Sequence, residues 1–147
     1  MPVLTGKGDT FELDLIKLIF NGAAIADIAE NDTSEPLTNL EVALHTADPT
    51  DAGVQTASEC AYTGYARVPV ARSVAGWTAA NPTTNVVAIT FGECSGAAPE
   101  TAKWFSVGTA HAGAGKILYG GMLTADLVIN VGVTPSFAIG ALSIAEG

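Results

Sequence analysis

Basic residues are scarce in this chain. Lys and Arg total 6 of 147 residues against 15 Asp and Glu, for a formal net charge of −9. No basic patch can be assembled from so few cations, which excludes binding to a nucleic-acid backbone by counterion release. Cysteine is nearly absent as well. Cys60 and Cys94 lie far apart and form no CxxC pair, so two buried thiols are the simpler expectation, with a disulfide left open. No apolar run approaches the ~18 residues of a membrane span. Met1 is followed by Pro2, Lys7 and Asp9, which is no signal-peptide pattern.

What is present is apolar and small. Hydrophobic residues make up 48% and charged ones 14%, a content too apolar for general disorder. The surface must then rest on Thr, Ser, Asn, Gly and Ala. This suits a β-rich domain, or a subunit largely covered by partners. The length fits one domain burying roughly two-thirds of its unfolded surface. Charge is uneven: residues 1–60 hold eleven acids and two bases, residues 61–147 four of each. An acidic N-terminal face serves solubility or docking onto a basic partner.

The segment DTFELDLIKLIF, residues 9–20, predicts a helix. Asp9 can cap it with Glu12 in the capping-box relation, Phe11, Leu15, Leu18 and Ile19 share a face, and Asn21-Gly22 supplies a stop. A second helical turn is expected in residues 23–31, then a polar breaker at 31–36. After Pro36 the period becomes two: Leu40, Val42 and Leu44 face one way, Glu41, Ala43 and His45 the other. Residues 47–64 read as a long surface loop. Short β-branched or aromatic runs follow at 63–73, 83–91, 102–110, 115–123, 125–133 and 135–144, divided by Gly, Pro, Asn and Ser. Pro69 marks its run as an edge strand or bulge. The expected fold is mainly β: a single antiparallel β-sandwich of about seven strands over 37–147, with an N-terminal α-helical extension or arm over 1–36.

The search for chemistry is largely negative. LEVALHTADPTDAG brings His45, Asp48 and Asp51 together, but metal sites usually need three or four converging ligands. A strand points His45 outward, and Asp48-Pro49 opens a turn. Neither cysteine has a nearby His, and no GxSxG occurs. GTAHAGAGK, residues 108–116, lacks the Gly-Lys-Ser/Thr ending of a phosphate loop and runs into a strand at Ile117, so it reads as a Gly-rich hairpin loop. Trp77, Trp104, Tyr62, Tyr65 and Tyr119 are more often core or interface anchors than a sugar platform at an aromatic content of 7%. Asp48, Asp51 and Glu59 match no calcium loop. No catalytic residue, metal or cofactor is expected, and the chain is read as no enzyme.

LEVALHTADPTDAG, AYTGYARVPVARS with the following GW, ITFGECSG, WFSVGTAHAGAGKILYGG and GVTPSFAIGALSI together resemble a family of small tailed-bacteriophage virion proteins. The resemblance covers roughly residues 37–145, and TGKGDTFELDLIKLIFNG is similar to members with a leading helix. The chain departs from the pattern at Lys103 and Trp104, where a threonine-rich stretch is usual. Members are commonly labelled tail-fibre proteins, and small head decoration or cement proteins carry comparable modules. The resemblance implies a non-catalytic virion component assembled in the host cytoplasm. The reading preferred from sequence is a capsid decoration protein on the major capsid protein or other virion subunits, forming a homo-oligomer. The alternative is a tail-fibre or tail-tip module binding a host surface receptor. Neither nucleic acid nor a membrane is an expected partner. The interface candidates are Phe11, Leu15, Leu18 and Ile19 on the helix, with Tyr65, Arg67, Arg72 and Trp104 on the strands.

Overall fold

A computed structural model describes residues 8–25, 36–97 and 99–147. The chain is mainly β, with one N-terminal helix, as the sequence implies. In chain order the elements are α1 (Asp9–Asn21), β1 (Asn39–His45), β2 (Val68–Ala71), β3 (Thr83–Thr84), β4 (Ile89–Thr90), β5 (Glu100–Gly108), β6 (Ile117–Ile129), β7 (Ser136–Phe137) and β8 (Ser143–Ile144). The described strands number eight rather than about seven. They group into two compact units. One gathers residues up to Thr38 with 71–87 and 139–147; the other holds 39–70 and 88–138. The first therefore joins the helix to segments that the sequence reading assigns to the sheet domain.

In the first unit, α1 starts differently from expectation. Gly8 is the N-cap, with no side-chain cap bond, and its carbonyl accepts from Glu12 N at 3.0 Å. Asp9 is already helical, so it and Glu12 act in the first turn, where the helix dipole favours negative charge. The stop is as read, with Gly22 left-handed at φ 65°. The last turn contains no basic residue of its own. Arg72 supplies that cation, donating through Nε to Ile19 O at 2.7 Å and through Nη2 to Leu18 O.

The buried face of α1 also differs from the stripe read in sequence. Ile16 and Phe20 are fully buried, while Phe11 is 39% exposed and Leu15, Leu18 and Ile19 are half-buried. Leu13, Leu15, Ile16, Leu18, Ile19 and Phe20 leave few polar positions to define a single stripe. The choice falls to tertiary packing: Phe20 meets the buried Trp77 edge to face at 4.8 Å. Of the second expected helical turn, Ile25 is in an isolated bridge and buried; residues 26–31 lie outside the described residues. The β3–β8 pair is two residues long, and side chains extend it. Asn85 accepts from Leu142 N at 3.0 Å, and Asn81 clasps the backbone of Glu146 through Nδ2 and Oδ1.

The second unit is built on a sheet of order β2-β1-β5-β6. Pro69 is exposed on β2, an edge strand, as its missing N–H requires. The runs 115–123 and 125–133 were expected as two strands, yet Ile117–Ile129 is one. The expected break survives as a bulge: Trp104 pairs with Met122 but Ala102 with Leu127, so several β6 residues face Lys103. The run 135–144 divides instead, with β7 pairing β4 and β8 pairing β3.

β1 is buried on both faces from Leu40 to His45, which corrects the outward placement of Glu41, Ala43 and His45. The reason is the segment after it. Residues 47–64 fold back on the strand, with Thr46 N donating to Ser58 O and Cys60 N to Leu44 O. A chain of rings fills another part of the unit: Tyr62–Tyr65 at 5.4 Å, Tyr65–Phe91 and Phe91–Phe137 at 6.1 Å, and Phe105–Phe137 at 6.0 Å.

Candidate binding site

The polar residues of the second unit converge on the hairpin loop between β5 and β6. Arg67 is 4% exposed. It makes a bidentate pair with Glu59, Nε to Oε1 and Nη2 to Oε2, each 2.7 Å. Its remaining reach goes to the loop, with donation to Ala110 O and Gly113 O at 2.7 Å. The hydrogen bond to Glu59 holds the guanidinium's pKa above its ordinary value. Tyr65 donates to Glu59 Oε1 at 2.9 Å and accepts from Leu44 N at 3.1 Å. Burial raises its phenol pKa, and the Glu59 charge adds to this, so it stays a donor at neutral pH.

Gln55, fully buried, grips the same loop. Its Oε1 accepts from Ala110 N at 3.0 Å, its Nε2 donates to Glu41 O at 3.3 Å, and its own N–H reaches Ala114 O at 2.6 Å. His111 completes the clasp, with Nδ1 3.0 Å from Glu41 Oε2 and its side chain 63% exposed. Thus a loop of small residues, HAGAG, is fixed by a buried Arg, a buried Gln and a buried carboxylate.

Between this loop and residues 56–67 lies a cavity of about 470 Å³. Glu59, Tyr62, Tyr65, Arg67 and His111 are among its lining residues, together with Cys60. Burial, with Glu100 and Glu59 adding to it, pushes the Cys60 thiol up to about 12, so it is no thiolate nucleophile at neutral pH. Burial likewise pushes Tyr62 up to about 12. Both cysteines are free and buried.

His45 is placed apart from the aspartates that follow it in sequence. It is fully buried. Its Nδ1 donates to Ala57 O at 2.9 Å, since a carbonyl only accepts, so Nε2 is left to accept from Ser106 Oγ at 2.7 Å. Burial lowers its pKa, although the Ala57 bond opposes this. Asp48 stands in the turn as read, its Oδ1 accepting from Thr50 N at 2.9 Å and from Thr50 Oγ1 at 2.6 Å; these bonds lower its pKa. Among the described residues, no group of three or more His, Cys, Asp or Glu side chains is placed to hold a metal ion.

The sequence-selected residues are thus not one patch. Tyr65 and Arg67 meet at the cavity, whereas Arg72 closes α1 with Leu18 and Ile19 as carbonyl partners. Trp104 is half-exposed on β5, opposite Met122. Gln55, Glu41 and His111 were not singled out as site residues. Nothing periodic marks them, and Glu59 read only as a scattered acid.

The fold and this arrangement define a β-rich structural module with a rigidly held loop. The chain matches, over residues 9–145, the family described as Podophage GP4 fiber I protein gp80, and it belongs to that family. It is therefore a phage structural protein and a virion component, as the resemblance implied. The family is one of fibres, so the preference for capsid decoration finds no support and the tail-fibre alternative is the closer reading. A search of curated proteins finds no match.

Proposed function

We propose that the chain is a non-catalytic fibre component of a tailed phage virion, acting through contacts with other virion subunits and with the host surface. The observation that carries this reading is the family match across residues 9–145. The clasped hairpin loop agrees with it, because a preorganised loop loses less entropy on binding than a free one. On α1 the exposed Phe11 and the half-buried Leu15, Leu18 and Ile19 form the proposed contact with a neighbouring subunit or second copy.

Purified particles decide the matter. Fab fragments against the chain, viewed by electron microscopy, are expected on tail appendages, with few copies per particle by quantitative mass spectrometry. Labelling spread over the head shell at hundreds of copies would overturn the reading in favour of head decoration.

A further inference from the structure

We infer that the cavity between residues 56–67 and the loop at 111–113 is a binding site for one neutral sugar ring, and this rests on the fibre reading for its biological meaning. Its volume of about 470 Å³ falls in the range of small-ligand sites, roughly 300–1,000 Å³. Among the described residues no group of three metal-type side chains converges there, and the buried Cys60 thiol of the lining is held protonated rather than as a nucleophile.

Charge selects the ligand class. Glu59 and Arg67 neutralise each other at 2.7 Å, with side chains 15% and 3% exposed, so neither is free to hold a counter-ion. An anionic ligand would meet Glu59, and a cationic one Arg67. What the lining does offer is hydroxyl-type hydrogen bonding. His111 is anchored through Nδ1 on Glu41, which leaves Nε2 at the exposed rim. Thr56 adds an exposed hydroxyl, and among the described residues Glu59 Oε2 accepts from Arg67 Nη2 alone. Tyr65, half-buried and backed by the buried Tyr62, lines the same cavity and supplies ring surface for the apolar C–H groups of a sugar. Mixed donors and acceptors beside aromatic surface, at zero net charge, fit a neutral polyol ring.

The hydrogen-bond pattern explains how such a shallow site stays formed. Arg67 and Gln55 hold Ala110, Gly113 and Ala114 by their backbones. The side chains of 111 and 112 are left to face solvent, and both residues are exposed.

The test uses the full chain and a panel of free monosaccharides: neutral hexoses, deoxyhexoses, N-acetylhexosamines, and glucuronic acid and glucosamine as charged controls. Each is titrated to about 50 mM, well past a millimolar dissociation constant, with amide shifts and saturation transfer read by NMR. At least one neutral sugar should shift amides confined to 56–67 and 109–114. Ala112→Trp, at an exposed rim position, should weaken that binding at least tenfold, and His111→Ala severalfold, with the remaining spectrum unchanged. The inference is overturned if no neutral sugar shifts these amides, if only the charged controls do, or if Ala112→Trp binds like the parent chain. Phage carrying Ala112→Trp separates this from the fibre reading. Normal tail incorporation with lost adsorption supports both, whereas absence of the chain from tails defeats only the latter.

Discussion

Arg67→Met removes the cation from the best-enclosed ion pair of the second unit while keeping an unbranched side chain of similar reach. Deleting one partner of a buried pair costs about 3–5 kcal/mol, because the other charge stays buried and uncompensated. Here the side chain of Glu59 is 15% exposed and keeps the Tyr65 hydroxyl at 2.9 Å, which argues for the lower end, about 3 kcal/mol. The lost bonds to Ala110 O and Gly113 O add little to global stability, since Gly113 is exposed and Ala110 half-exposed, so water replaces the donor. They matter locally, because the hairpin loop loses two of its anchors.

Two signatures follow. Hydrogen exchange of β5 amides, which report opening of the sheet, should quicken by the factor matching about 3 kcal/mol, roughly a hundredfold or more. Amides at 110–114 should quicken further than β5 does. Glu59→Gln together with Arg67→Met should be less costly than the sum of the single changes, with a coupling of about 1–3 kcal/mol. A loss under about 1 kcal/mol with additive single changes would refute the reasoning, and would show that the pair behaves as a solvated surface contact.

Other perturbations probe separate elements. The His45 pKa is lowered in the folded chain by burial, so the fold prefers neutral imidazole. Stability from this group is present above the unfolded value near 6.5 and is lost as pH falls below it. Urea midpoints should therefore drop between pH 7 and 5.5 in the parent chain and less in His45→Gln; parallel curves would contradict this. Gly64 has φ 102° and its added Cβ would lie 2.2 Å from Glu93 O, so Gly64→Ala should cost more than about 2 kcal/mol in chemical unfolding. A near-neutral result would show that the two backbones separate freely. Arg72→Gln removes charged donors from the carbonyl end of α1; it should destabilise that end by about 1–2 kcal/mol, seen as faster exchange at residues 18–23 with β5 unaffected.

The parts legible in the sequence are those governed by local rules. The helix apart from its N-cap, its glycine stop and the Asp48 turn need only neighbouring residues, and these form as read. Pro69 at an edge follows from one missing N–H. The buried face of α1 was not legible, because its apolar residues leave no single stripe and Trp77 chooses among them from 57 positions beyond Phe20 (77 − 20). His45 illustrates the same limit. Alternation assigns a polar residue to the outer face, but the chain folds back to provide Ala57 O and Ser106 as partners, and a satisfied imidazole can be buried. The site is hidden for that reason. Its residues, Glu41, Gln55, Arg67 and His111, are brought together by tertiary bonds across 14 to 70 positions.

The low charge content takes on a different meaning once those partners are seen. A protein with 14% charged residues would ordinarily be expected to place them on its surface for solubility. Here Arg67 and Glu41 are buried, Arg72 is engaged by helix carbonyls, and Glu100 accepts from Ala61 N at 2.7 Å and Tyr62 N at 2.8 Å. Four of the eight strands have only two residues, too short for ladders to hold the connections between them. Charged and amide side chains bonded to backbone take over that task in each unit: Asn81, Asn85 and Arg72 in one, Gln55, Arg67 and Glu100 in the other. The exposed positions are a mixture: small residues such as Ala112 and Thr56, charges such as Asp48, Glu93 and Lys103, and apolar side chains such as Met122 and Ile139. Substitutions at exposed Ala and Thr positions should therefore be tolerated far better than conservative changes at these polar anchors, the reverse of the pattern expected where apolar packing alone defines the fold.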